Sequence, residues 1–149
     1  MRRHFLDGSI VPDFEFLRTV HGGDIGHAGI LAELGALAPV TAVRGNNDRG
    51  AWAESVRETE LLRVGGVCVY AIHDLAELDI EPAAAGIHVV VSGHSHKPRV
   101  VERDGVLFVN PGSAGPRRFK LPVSVAELVI TDSGAVSARI VELEVQSTT

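Results

Sequence analysis

The chain has 149 residues, which is enough for one domain with its own core. Apolar residues make up 45% of it, yet no run approaches the roughly 18 that a membrane span needs. The net charge of −5 argues against nucleic acid as an electrostatically steered partner; it leaves phosphate substrates open, because a bound metal supplies local positive charge in an acidic protein.

The opening, Met1 to Asp7, carries two arginines and no long apolar stretch, so it does not read as a signal peptide. Phe14 to Val20 reads as a short strand that runs into Gly22-Gly23-Asp24. From His27 to Leu37 the apolar residues Ile30, Leu31, Leu34 and Leu37 share one helical face, and Pro39 stops the helix. Val40 to Val43 is a second buried strand, entering Gly45-Asn46-Asn47-Asp48. Strand, loop, helix, strand, loop is the pattern of a parallel crossover unit. The second half predicts hairpins. The first pairs Glu60–Val64 with Val67–Ile72 through Gly65-Gly66. Ile87 to Ser92 follows as a buried strand. The second hairpin pairs Arg99–Arg103 with 106–109 through Asp104-Gly105, and the third pairs Val123–Thr131 with Val136–Leu143. The expected class is α/β: a mixed sheet, or two packed sheets with helices outside. The single cysteine, Cys68, lies in the apolar run 67–70 and reads as an inert core residue; one cysteine allows no internal disulfide and points to a reducing, cytoplasmic setting.

The chemistry-bearing residues all follow strand-like runs, on the loops where α/β sheets build their sites. Asp24 alone would read as an Asx turn or helix N-cap, and Asn46 alone as a turn residue. A lone His73 at a strand end is more often structural than a ligand. The pair His94 and His96 is stronger, since a spacing of two in an extended segment sends both rings to one side. Taken together, one Asp, one Asn and three His on converging loops suit Mn, with Fe, Zn, Co and Ni as alternatives.

In this order, His21-Gly22-Gly23-Asp24-Ile25-Gly26, Ala42-Val43-Arg44-Gly45-Asn46-Asn47-Asp48, His73, Ser92-Gly93-His94-Ser95-His96-Lys97-Pro98 and Asn110-Pro111-Gly112-Ser113 resemble the calcineurin-like metallophosphoesterase superfamily, in its small bacterial and archaeal phosphodiesterase branch. The resemblance implies a two-sheet mixed β sandwich flanked by helices, formed by residues 1–149 as a single domain. It implies one metal site of Asp24, Asn46, His73 and His94. A second site would share Asp24, use His96, and take an Asp and a His from an Asp-x-His motif on the first strand. That motif is missing or degraded here: the nearest candidate is Asp7-Gly8-Ser9, with Ser9 in the His place. Either the opening strand is altered or the chain begins inside the first helix of the pattern. One or two ions are therefore expected. A sheet without its first strand would be marginal or would cover its edge by self-association.

Asn47 stands where many members place a His that acts on the leaving group. It can donate a hydrogen bond to phosphate but cannot transfer a proton, so Asn47 and Asp24 are the expected catalytic pair. Arg44, Arg49 and Lys97 flank the loops and read first as surface charge. His21 is placed to orient the Asp24 loop, and Gly112 and Ser113 to close the site floor. His4, His27 and His88 read as structural or surface residues. Two functions remain. One is metal-dependent hydrolysis of a small phosphodiester or phosphomonoester by a metal-activated water, with activity in doubt because of the N-terminal departure. The other is a catalytically impaired binding scaffold on the same fold, as in the retromer's metallophosphoesterase-like subunit.

Overall fold

The computed structural model describes residues 18–115 and 120–144 in full, and the backbone of two short strands before them, β1 (Arg3–Leu6) and β2 (Ser9–Pro12), which pair antiparallel. The expected strand from Phe14 is described only from β3 (Thr19–His21), and Asp7 lies outside the described residues. β3 pairs in parallel with β4 (Val40–Ala42), with Thr19 opposite Val40 and His21 opposite Ala42. The helix α1 (Ala28–Leu37) joins them, so the crossover unit expected from the pattern is present. Parallel pairing makes the loops after β3 and β4 leave side by side, and the bond from Val43 N to His21 O (3.1 Å) carries the ladder one step further.

Helix α1 stops where the backbone turns extended at Ala38, whose N–H still reaches Leu34 O at 3.1 Å, one residue before Pro39. Its expected apolar face holds only in part. Ile30, Leu31 and Leu34 are half-buried, but Leu37 is 81% exposed, because no described element covers the last turn.

The main sheet has five strands in the order β5 (Thr59–Val64), β6 (Val67–Ile72), β7 (Val89–Val91), β9 (Val106–Asn110), β8 (Arg99–Arg103). The three inner strands are parallel, and β5 and β8 close the edges as antiparallel hairpin arms. Gly65-Gly66 and Asp104-Gly105 all have positive φ (53°, 83°, 53° and 76°), as tight two-residue hairpin turns require. Side-chain alternation gives the sheet two buried faces. On one, Val67, Val69, Val89, Val91 and Val109 pack against Val20 of β3 and against Ala126, Leu128 and Ile130 of β10 (Ser124–Ile130) and Val136 and Ala138 of β11 (Val136–Glu142). On the other, Ile72, Ile87, Val90 and Val106 meet Leu78 and Ile80. The second layer of the sandwich is thus built from two separate ladders, β3–β4 and β10–β11. Cys68 is buried, and its N–H is accepted by His88 Nδ1 at 2.9 Å. Flanking helices are sparse: besides α1 there is one turn, α2 (Ala51–Glu54), and a 3-10 turn at Leu75–Glu77, among the described residues. None of these helices is long and apolar enough to cross a membrane.

Candidate metal centre

The loops that follow β3, β4, β6 and β7 open at one edge of the molecule, and they are fastened to each other before any ligand is considered. Gly93 N donates to His73 O (2.9 Å), which joins the β6 and β7 loops. Asp48 is buried and accepts from Gly26 N (3.0 Å) and Gly45 N (2.8 Å), which joins the β3 and β4 loops. Asn110 donates to Gly93 O (2.9 Å) and Ser95 Oγ (3.1 Å) and accepts from Gly112 N (2.9 Å), so it braces the His94 loop from β9. His21 Nδ1 accepts from Gly23 N at 3.2 Å, in the orienting place expected for it.

Among the described residues, three of the four non-glycine residues with positive φ are Asp24 (54°), His94 (66°) and His96 (59°). Such conformations cost free energy unless the surroundings impose them, and they gather at functional sites. Asp24 is not a helix cap: the N-cap position of α1 is His27, with no side-chain cap. The Asp24 carboxylate instead accepts from Asn47 twice, Oδ1 from its backbone N–H (3.0 Å) and Oδ2 from its side-chain amide (3.2 Å).

The centre of the cluster is Asn46 Oδ1. His73 Nε2 lies 2.8 Å from it and His94 Nδ1 lies 3.2 Å from it, while the two ring nitrogens are 3.3 Å apart. Asp24 Oδ1 is 3.5 Å from His73 Nε2. The His73 ring is buried, and its Nδ1 sits 2.7 Å from Gly22 O, which can only accept. In the neutral ring the proton is therefore on Nδ1, and Nε2 turns a lone pair toward the oxygens of Asn46 and Asp24. Lone pair facing lone pair is repulsive. A proton on Nε2 would relieve one of these contacts; a cation between the four atoms would relieve them all. Donors that share one transition metal at about 2.0–2.2 Å lie about 2.8–3.6 Å from each other for octahedral to tetrahedral angles, and the spacings here run from 2.8 to 3.5 Å. Metal-bound His residues are also commonly held in place by donating their other N–H to a backbone carbonyl. The donor set fits a divalent ion. Carboxylate and imidazole donors alone do not make up a metal-holding group of three among the described residues; the amide oxygen of Asn46 is what links the two rings.

His96 stands to one side. Its Nε2 is 3.8 Å from Asp24 Oδ2, and its Nδ1 is buried without a hydrogen-bond partner among the described residues. The structure thus brings Asp24, Asn46, His73 and His94 to one point and His96 to the far oxygen of Asp24. Arg44 is engaged by Glu58 at 2.8 Å, and Arg49 and Lys97 are exposed. Gly112 is packed so tightly on Ser124 that an added Cβ would collide with its hydroxyl, so the segment 110–113 braces the sheet end. The sequence reading missed the roles of Asp48 and Asn110. Asp48 and Asn110 stood within the quoted motifs, but the partners that make them bridges, Gly26 for Asp48 and Gly93 and Ser95 for Asn110, lie 15–22 residues away along the chain. A cleft of about 460 Å³ opens beside the cluster, lined by Asn46, His73 and His94 and by the acidic side chains Glu58, Asp74, Glu77 and Asp79.

Comparison with known proteins gives the class. Residues 12–133 match the calcineurin-like phosphoesterase superfamily domain, and the chain belongs to that family. It is 38% identical over 126 residues to a probable metallophosphoesterase of Methanothermobacter thermautotrophicus, covering 76% of this chain and 73% of that protein. A probable metallophosphoesterase of Methanocaldococcus jannaschii is 31% identical over 129 residues; the match takes in 84% of this chain and 66% of that protein, just under two thirds. Among solved structures, wild-type Vps29 of Entamoeba histolytica complexed with zinc superposes with a TM-score of 0.66 at 25% identity, over 85% of this chain and 83% of that one.

Proposed function

We propose that residues 1–149 act as one metallophosphoesterase domain that holds one divalent transition metal tightly through Asp24, Asn46, His73 and His94 and hydrolyses a small phosphoester, with a phosphodiester as the preferred substrate. The observation that carries this reading is the His73 ring: its Nδ1 is committed to Gly22 O while its Nε2 faces only acceptor oxygens and a second imidazole. Manganese suits this mixed O and N set, with Fe, Zn, Co and Ni as alternatives. When bound, the ion supplies charge stabilisation on a phosphoryl oxygen and lowers the pKa of water. The chain's own residues do the positioning. Asn47 fixes both oxygens of Asp24 and keeps a second side-chain N–H for a phosphate oxygen, but it has no proton to release to a leaving group. Esters of acidic alcohols should therefore react fastest. His96 with Asp24 Oδ2 forms a less complete second place, so any second ion should be held weakly. A buried thiol at Cys68 suits the reducing cytoplasm.

A protein stripped with chelator and reloaded with manganese should release p-nitrophenolate slowly from bis-p-nitrophenyl phosphate. Asp24→Ala and His94→Ala should abolish both tight metal binding and this turnover while leaving a folded chain. Full metal affinity in His94→Ala would remove that residue from the centre. One observation favours the second reading, a binding scaffold: α1 has no buried residue and ends on a bare Leu37. Tight metal binding with no hydrolysis of any diester or monoester would make the scaffold the better account.

A further inference from the structure

We propose that Asp74 is a positioning residue for the metal centre: it holds His94 in the tautomer that turns a lone pair from Nδ1 toward Asp24, Asn46 and His73. This inference rests on the metal centre proposed above and names a residue outside its ligand set. His94 is 46% exposed at the mouth of the cleft and sits in a left-handed backbone conformation, so little packing fixes its ring. Two contacts do. The ring meets His73 edge to face, with centroids 5.1 Å apart and planes 78° to each other. On the opposite side Nε2 lies 3.7 Å from Asp74 Oδ2.

Asp74 is itself held. Its Oδ1 accepts from Ala76 N at 3.0 Å, capping the 3-10 turn Leu75–Glu77, so the carboxylate is anchored by one oxygen and presents the other to the ring. A neutral imidazole has one N–H to place. With the proton on Nε2 it faces the anionic oxygen of Asp74 and leaves Nδ1 as a ligand. With the proton on Nδ1 it faces Asn46 Oδ1 at 3.2 Å and His94 cannot bind metal. The two positions compete directly, and the carboxylate decides in favour of the binding form. Carboxylates and carbonyls play this part behind metal-bound His in general, and removing them typically weakens metal affinity about 10–100-fold. Here Gly22 O serves His73 and Asp74 serves His94, so each ring has its own partner on the side away from the cluster.

The test uses Asp74→Asn and Asp74→Ser in the full chain. Both side chains can still accept from Ala76 N, so the cap survives. The amide of Asn can also donate to Nε2 and force the wrong tautomer, so Asp74→Asn should be the worse of the two. In chelator-stripped protein, imidazole nitrogen NMR should show His94 with its proton on Nε2 in the wild type and on Nδ1 in Asp74→Asn, the signal being assigned by its loss in His94→Gln. Manganese and zinc titrations should show affinity falling about 10–100-fold in Asp74→Asn, with the unfolding temperature of the stripped protein unchanged. An Nδ1 proton in the wild type, or a tautomer and a metal affinity both unmoved by Asp74→Asn, overturns the proposal. If the wild type binds neither ion but its tautomer still follows Asp74, the positioning role stands and the metal centre fails.

Discussion

His21 shows how a single residue links the fold to the site. It ends β3, its Nδ1 must stay unprotonated to accept from Gly23 N, and burial, acting against Asp48 and Asp24, pushes its pKa below the usual imidazole value. The sign follows from linkage. The unfolded chain takes up a proton near pH 6.5, while the folded chain resists until lower pH. The stabilising contribution is therefore complete above about pH 6.5 and is lost as pH falls through the window below it. The unfolding temperature of metal-free protein should fall between pH 7 and 5, and His21→Asn, whose Oδ1 can accept the same N–H, should flatten that slope. An identical slope in both proteins would assign the loss to other groups. Asp48 is a residue of the same kind: the sequence gives it no role beyond a turn, yet its carboxylate reaches Gly26, 22 residues away, and connects the loops after β3 and β4.

At the scale of elements, the parts that could be read from sequence were those with strong local signals. The hairpins around Gly65-Gly66 and Asp104-Gly105 were legible because both turns need positive φ and both lie between apolar, alternating runs. The parallel pairing of β3 and β4 was legible because a helix pattern separates two apolar runs. The short turn α2 was not legible, since four residues carry no period, and neither was the bare end of α1, since exposure depends on what packs above a face. For the site, the motif residues were legible and the contacts that brace them were not. The loops after β3 and β4 interlock at Gly45, where an added Cβ would run into the backbone and carboxylate of Asp24. Gly45→Ala should cost about 1–3 kcal/mol in stability and displace Asp24, with a parallel loss of metal affinity. Gly35→Ala provides the contrast: it lies in α1 with open space around it, and should stabilise by about 0.5–1 kcal/mol. Equal behaviour of the two variants in thermal unfolding would mean that the β3 and β4 loops are not interlocked.

For the whole molecule, the proposed metal centre would act as a staple once a cation closed it. Asp24 comes from the loop after β3, Asn46 from the loop after β4, His73 from the end of β6 and His94 from the loop after β7. The β3–β4 ladder is not part of the five-stranded sheet and is tied to it, beyond packing, by single bonds such as His73 Nδ1 to Gly22 O and Arg44 N to Arg57 O, so an ion bound by all four residues would add a further tie between the two layers. An ion that binds only the folded chain stabilises it by about 2.7 kcal/mol at a concentration 100 times its dissociation constant. In a domain of this size that corresponds to roughly 5–10 °C in unfolding temperature. Manganese added to chelator-stripped protein at that concentration should give a shift of that order, with one tightly held equivalent per chain by metal analysis, and Asn46→Ala, which removes the atom that contacts both rings, should abolish both. Two tightly held equivalents would mean that His96 and Asp24 Oδ2 find further ligands outside the described residues. A shift that survives in Asn46→Ala would place the ion elsewhere in the molecule.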